Sequence, residues 1–191
     1  KAIADLCIDP SKKTLLITGA SSGSASINTA LMQIIQALDA FANTWQIVHL
    51  TGKANYKQVL AFSESVNFDI SYIPVDYYTD MAALYAASDI VVGRSGAVST
   101  AEYAVSGLPS ICLPYPYHKD RHQYLNAQKL VDAGAAIIVD DNTQQTAEVL
   151  LKSLIDLMSN DDKRMKMSRA AKSIATPSAA KDIAKELTII K

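Results

Sequence analysis

The chain has 191 residues, of which 49% are hydrophobic and 19% charged, with a formal net charge of −1 at neutral pH. That length and balance fit one soluble globular domain spanning 1–191 with a sizeable core. The near-zero charge removes the electrostatic case for binding nucleic acid or an anionic membrane surface, and no apolar run reaches the roughly 18 residues of a spanning helix.

Short apolar runs alternate with longer amphipathic ones. Thr14–Thr18 reads as a first strand, followed by a helix with Ile27, Leu31, Ile34, Leu38 and Phe41 along one side. Trp45–Leu50 is a second strand, Tyr56–Ser65 a helix, Phe68–Ile73 a third strand and Met81–Ala87 a short helix. Ile90–Val92 and Ser110–Leu113 make two more strands, on either side of a helix that closes at Gly107. A helix over Lys119–Ala133 ends at Gly134, Ala136–Val139 is a last strand, and helices fill the chain from Thr143 onward. Such alternation implies parallel pairing through right-handed crossovers. The expected fold class is α/β: a doubly wound, mostly parallel sheet of about six strands with helices on both faces. Cys7 and Cys112 match no metal or redox spacing, which points to a reduced, cytosolic compartment. The chain starts at Lys1 without a Met or a visible signal peptide, and reads as a fragment.

Doubly wound sheets bind ligands beyond the carboxyl ends of their strands, so the loops there carry the functional reading. The most informative is Gly93-Arg94-Ser95-Gly96-Ala97-Val98-Ser99-Thr100-Ala101-Glu102, at the end of strand four. Taken as helical, it puts Ser95, Ser99, Glu102 and Ser106 on one face, opposite Ala97, Val98, Ala101, Ala104 and Val105. Unpaired N–H groups and the dipole at a helix start suit phosphate, and a carboxylate one turn on suits a ribose diol. Each residue alone also reads blandly, Ser95 as an N-cap and Glu102 as a solvated side chain. The constellation favours a sugar-nucleotide site.

After strand one, Gly19-Ala20-Ser21-Ser22-Gly23-Ser24 suits close backbone approach to a diphosphate, or simply a tight turn. It matches neither the dinucleotide glycine pattern nor a Walker A loop, and strand two ends in His49-Leu50-Thr51-Gly52 with no acid for a nicotinamide ribose. After strand three, Tyr77 and Tyr78 offer an aromatic surface to a base, or form a surface loop with Thr79 or Asp80 as N-cap. After strand five, Asp120 and Gln123 resemble a capping box, while Gln123 and Asn126 have the donor–acceptor chemistry of hydroxyl readers. His118 and His122 lack a third ligand, so no metal is expected, and no cofactor is implied. His49, in a strand, reads as structural.

Together Arg94-Ser95-Gly96-Ala97 with Glu102, Gly107-Leu108-Pro109, His118 to Ala127, and Ala133-Gly134-Ala135-Ala136 resemble the donor-binding half of the UDP-N-acetylglucosamine transferase family of peptidoglycan synthesis, inverting enzymes of the GT-B fold. The resemblance runs from about Asp9 to the end of the chain. It implies that Ser21 and Ser99 face the diphosphate, that Ser95 and Gly96 belong to the substrate-binding set, that Glu102 holds the ribose, and that Tyr77 and Tyr78 lie where uracil is read. Gln123 and Asn126, with the Ala97 N–H nearby, would contact the N-acetylglucosamine. His122 stands where the family has the first of two glutamines, and the first loop also departs from its usual Gly-Gly-Ser-Gln-Gly-Ala. UDP-N-acetylglucosamine is the implied partner, with a lipid-linked acceptor bound by an N-terminal half absent from this sequence. That half would also supply the catalytic residues, leaving this part inactive alone on the cytoplasmic face of the cell membrane, without direct insertion. The final helix, with Ile183, Leu187 and Ile190 on its apolar face, would pack on that half. A sugar-nucleotide epimerase of the same fold and a non-catalytic nucleotide-binding or interaction domain are the alternatives.

Overall fold

A computed structural model describes residues 1–19, 23–117, 119–141 and 144–189. Its centre is a six-stranded sheet in the order β3-β2-β1-β4-β5-β6. The strands are β1 (Lys13–Thr18), β2 (Trp45–Leu50), β3 (Ser71–Val75), β4 (Ile90–Gly93), β5 (Ser110–Cys112) and β6 (Ala136–Ile138), and every neighbouring pair is parallel. Each crossover passes through helix, as the sequence alternation requires. In chain order the helices are α1 (Ala2–Asp5), α2 (Ala25–Ile34), α3 (Tyr56–Ser65), α4 (Met81–Ala86), α5 (Ala97–Ser106), α6 (His122–Asp132), α7 (Thr146–Ser159), α8 (Asp161–Ser173) and α9 (Ala179–Ile189).

Alternation along β1 divides the core into two layers. Leu15 and Ile17 point to a cluster built with Ile27, Leu31, Leu38, Leu150, Leu154 and Leu157. Leu16, set between Val48 and Val91 in the sheet register, points the other way, to Leu84, Tyr103, Ala127 and Leu130. Both faces are therefore covered, and β1, β2 and β4 are buried at nearly every position. In α9, Ile183 and Leu187 remain exposed, while Ile190 lies outside the described residues.

Four local departures from the sequence reading have physical causes. β3 starts at Ser71 instead of Phe68, because the Asp39 carboxylate takes the N–H groups of Asp69 and Ile70 before the strand reaches β2. The helix after β1 tightens into a 3-10 helix over Ile35–Phe41, which keeps Ile35 and Leu38 in the core. α6 starts at His122 instead of Lys119, since Arg121 has a left-handed backbone (φ 50°) and the Asp120 carboxylate accepts from the His122 N–H. The short α1 carries no periodicity from which to read it.

His49 is structural, as its place in a strand suggests. Its Nε2 lies 2.9 Å from Asn28 Oδ1 and its Nδ1 2.7 Å from the Tyr72 hydroxyl. Asn28 donates its amide N–H to the Thr51 carbonyl, which fixes the amide and leaves its oxygen to accept. The ring is therefore neutral, with the proton on Nε2 and Nδ1 accepting from Tyr72. Burial holds the His49 pKa down at about 3. The unfolded chain gains a proton at this ring near pH 6.5 and the folded chain does not, so acidification favours unfolding. Below that pH the parent should lose about 1.4 kcal/mol per pH unit through this group. Urea denaturation at pH 6.5 and 5.0 should show a steeper loss for the parent than for His49→Gln; equal slopes would exclude the linkage.

Candidate functional site

The strand order reverses direction at β1 and β4. The chain leaving β1 turns towards β2 and the chain leaving β4 towards β5, so the two loops part and leave a crevice at their carboxyl ends. A cavity of about 320 Å3 opens on the β1 side of that crevice. Its floor is Thr18 and Leu50 at the strand ends with Gly52. One wall is the segment after β3, with Asp76, Tyr77 and Tyr78, and the other is the first turns of α5, with Val98, Ser99 and Glu102. The size suits part of a small ligand.

Both walls are fixed by named bonds. The Tyr78 hydroxyl donates to Asp5 Oδ2 at 2.8 Å, tying the loop to α1, and burial followed by this carboxylate raises its pKa. Tyr77 is 47% exposed, with Lys53 Nζ 5.4 Å from its ring centre. Its N–H is held at 2.7 Å by the Asp76 carboxylate. On the opposite wall the Tyr85 hydroxyl, from α4, donates to Glu102 Oε2 at 3.1 Å. Burial, then the Glu102 charge, raises the Tyr85 pKa far above the ordinary phenol range, so it stays a donor. Tyr85 meets Tyr103 edge-to-face (5.8 Å, 84°), and the Tyr103 hydroxyl donates to the Arg94 carbonyl at 3.1 Å. Gly93 is needed there: a Cβ would lie 2.5 Å from the Tyr103 hydroxyl and 2.9 Å from the Thr18 carbonyl.

Arg94 leaves β4 on the other side of the crevice and is buried. Its guanidinium donates to the Leu113 carbonyl (2.8 Å), Ser24 Oγ (2.8 Å) and Ser26 Oγ (2.9 Å), and pairs with Asp141 Oδ2 at 2.5 Å. One side chain thus joins the end of β4 to the start of α2 and to the segments that follow β5 and β6. Ser26 Oγ also donates to Asp141, and Ser24 caps α2. Gly19 and Ser24 lie so close that a Cβ on Gly19 would be 2.1 Å from the Ser24 nitrogen. Ser21 itself lies outside the described residues.

The remaining sequence candidates fall in three places. Ser99 and Glu102 line the cavity. Ser95 is not on their helical face, because α5 starts at Ala97 with Gly96 as N-cap. Its side chain is fully buried and its hydroxyl has no hydrogen-bond partner among the described residues. The exposed side of α5 carries Ala97, Val98 and Val105, while Thr100, Tyr103 and Ala104 are buried. On α6, Asn126 donates to the Ser95 carbonyl at 3.2 Å, which brings it beside the start of α5. Gln123 does not close a capping box; its oxygen accepts from the Tyr115 N–H at 3.0 Å, across the loop that leads into the helix. His122 pairs with Asp120 at 2.8 Å and lies, with Leu125, in an outer depression away from the cavity.

A model of the glycosyltransferase family 28 C-terminal domain matches residues 14–187. The chain belongs to this family. The family 28 domain is 39% identical over 177 residues to the UDP-N-acetylglucosamine--N-acetylmuramyl-(pentapeptide) pyrophosphoryl-undecaprenol N-acetylglucosamine transferase of Corynebacterium diphtheriae, covering 93% of the chain and 46% of that relative. It is 35% identical to the transferase of the same name from Desulforamulus reducens, covering 91% of the chain and 47% of the relative. Among solved structures, Acinetobacter baumannii MurG superposes with a TM-score of 0.82 at 28% identity, over 93% of the chain and 52% of that structure. A putative UDP-N-acetylglucosamine 2-epimerase from Listeria monocytogenes, at 16% identity, TM-score 0.67, 96% of the chain and 45% of that structure, shares the fold alone. The family 28 domain spans about half the length of the curated relatives it matches.

Sequence reasoning missed Tyr85, which reads as a core aromatic on a short helix, and the partnership of Arg94 with Asp141, whose residues are far apart in the chain. A lone arginine leaving a buried strand was the available signal, since a guanidinium there needs acceptors. Arg94→Met should strand the Asp141 carboxylate, whose side chain is 2% exposed, and destabilise the domain by about 3–5 kcal/mol. Urea denaturation checks this, and adding Asp141→Leu should restore part of the loss; a single variant as stable as the parent would exclude the keystone role.

Proposed function

We propose that this chain is one donor-binding domain and holds UDP-N-acetylglucosamine for inverting transfer of its sugar to a lipid-linked acceptor in peptidoglycan synthesis. The observation that carries the reading is the Glu102 carboxylate, held by Tyr85 in a cavity one turn beyond the start of α5. A ribose diol donates to such a carboxylate, while the first N–H groups of α5 suit the diphosphate. Ser21, Ser95, Gly96 and Ser99 belong to that phosphate end, with Ala97 beside it. Tyr77 and Tyr78 form the base wall. Asn126, seated against the Ser95 carbonyl, and Gln123 and His122 beyond it belong to the sugar end. The names of the transferase relatives support this donor over the epimerase alternative, whose neighbour shares only the fold.

In this reading the domain's share of catalysis is electrostatic. Negative charge builds on the diphosphate as the glycosidic bond breaks, and preorganised N–H groups at the α5 start stabilise it without reorganising. The general base and the acceptor surface come from the other half of the protein, which works at the cytoplasmic membrane face. Among the described residues no helix is long and apolar enough to cross a membrane.

Calorimetric titration with UDP-N-acetylglucosamine, set against UDP-glucose and NAD, tests the reading, and binding should be strongest for the first. Glu102→Ala should weaken UDP binding by about 1–3 kcal/mol; unchanged affinity would remove Glu102 from the ribose site. Asn126→Ala should weaken UDP-N-acetylglucosamine more than UDP, whereas equal losses would leave Asn126 only its bond to Ser95.

A further inference from the structure

We infer that Tyr85 is a positioning residue for ribose recognition: its hydroxyl sets the Glu102 carboxylate in the orientation that accepts the ribose hydroxyls. The inference rests on the donor-nucleotide reading above. Tyr85 sits on α4, the helix before the one that carries Glu102, and is 5% exposed. Its hydroxyl donates to Oε2 of Glu102 at 3.1 Å, and Oε1 makes no hydrogen bond among the described residues. One oxygen is thus tethered and the other left to accept from a ligand.

The tether is itself anchored. Tyr85 packs edge-to-face on Tyr103, which is 1% exposed and whose hydroxyl donates to the Arg94 carbonyl. Each link refers the carboxylate to the end of β4 instead of to solvent. An untethered glutamate on a helix surface samples several rotamers, and ordering it on binding opposes affinity. Tyr85 does that ordering before the ligand arrives. Burial keeps its phenol protonated, so the bond is present wherever the protein is folded near neutrality. A phenylalanine at this place would fill the same volume and stack on Tyr103 in the same way, so packing alone does not call for the hydroxyl.

The test is a set of calorimetric titrations of the protein with UDP and with 2′-deoxy-UDP, in four forms: parent, Tyr85→Phe, Glu102→Ala and the double variant. The parent should favour UDP over 2′-deoxy-UDP. Tyr85→Phe should lose about three- to tenfold in UDP affinity and lose most of that preference. In the Glu102→Ala background Tyr85→Phe should change neither affinity, because the residue acts through the carboxylate. A parental preference that survives Tyr85→Phe overturns the inference alone, as does an equal loss in the presence and absence of Glu102. A parent that does not favour UDP over 2′-deoxy-UDP overturns the ribose reading of Glu102, and this inference with it.

Discussion

Burying a guanidinium at the carboxyl end of a parallel sheet obliges the surrounding loops to bring acceptors to it, and Arg94 collects them from every strand end within reach. Ser24 and Ser26 come from the start of α2, Leu113 from just after β5, and Asp141 from beyond β6. Without the Asp141 charge the desolvation cost would stand uncompensated. Without the two serines and the carbonyl, guanidinium N–H groups would lack partners. The arrangement is costly to break from either side, so it fixes the relative placement of loops that have little packing of their own. Asp141 Oδ1 and Ser95 Oγ, the two buried side-chain oxygens without a partner among the described residues, lie at or next to this junction. Hydrogen bonding here is concentrated on the groups that join loops, and neighbouring atoms are left short.

The same junction shapes the cavity indirectly. The Arg94 side chain turns towards β5 and β6, while its carbonyl faces the other way and accepts from Tyr103. Tyr103 can approach because Gly93 has no side chain, and Tyr85 stacks against it. The β4 end therefore serves both halves of the crevice, with a charged network on one side and an aromatic pair on the other. Glu102 is the point where the aromatic side meets solvent. The site depends on a glycine for clearance, on two tyrosines for direction, and on a buried ion pair for the frame.

The sequence made the fold legible because the central strands bury both faces. Trp45–Leu50 and Ile90–Gly93 are buried throughout, so their apolar runs stand out against amphipathic neighbours. The edges were harder. Asp39 takes the backbone donors that a strand over Phe68–Ile70 would use, and no local pattern announces a side chain acting from thirty residues away. Likewise the Arg121 backbone moves the start of α6, and Gln123 serves Tyr115 instead of a cap. At the site, Ser99 and Glu102 were readable from helical spacing, and Tyr77 and Tyr78 from their place after β3. Ser95 was not, since its reading depended on a helix start two residues earlier than the observed one. Tyr85 and Asp141 were invisible for a different reason: their roles exist only once tertiary structure sets α4 beside α5 and the β6 end beside Arg94.

The half-and-half character of the crevice also bears on how a two-part donor would be accommodated. The Glu102 cavity is walled by aromatics, with the Asp76 carboxylate on one side and the Glu102 carboxylate on the other, which suits a nucleoside. Asn126, bonded to the Ser95 carbonyl beside the α5 start, carries an amide with both donor and acceptor capacity, which suits a sugar. Between them lies the helix N-terminus, whose N–H groups suit the diphosphate that links the two. In the proposed reading, the linear order nucleoside, diphosphate, sugar corresponds to the order carboxylate, helix start and amide. That match follows from one topological fact, the parting of the loops after β1 and β4, because it sets a helix start in the middle of the crevice and leaves room on both sides of it.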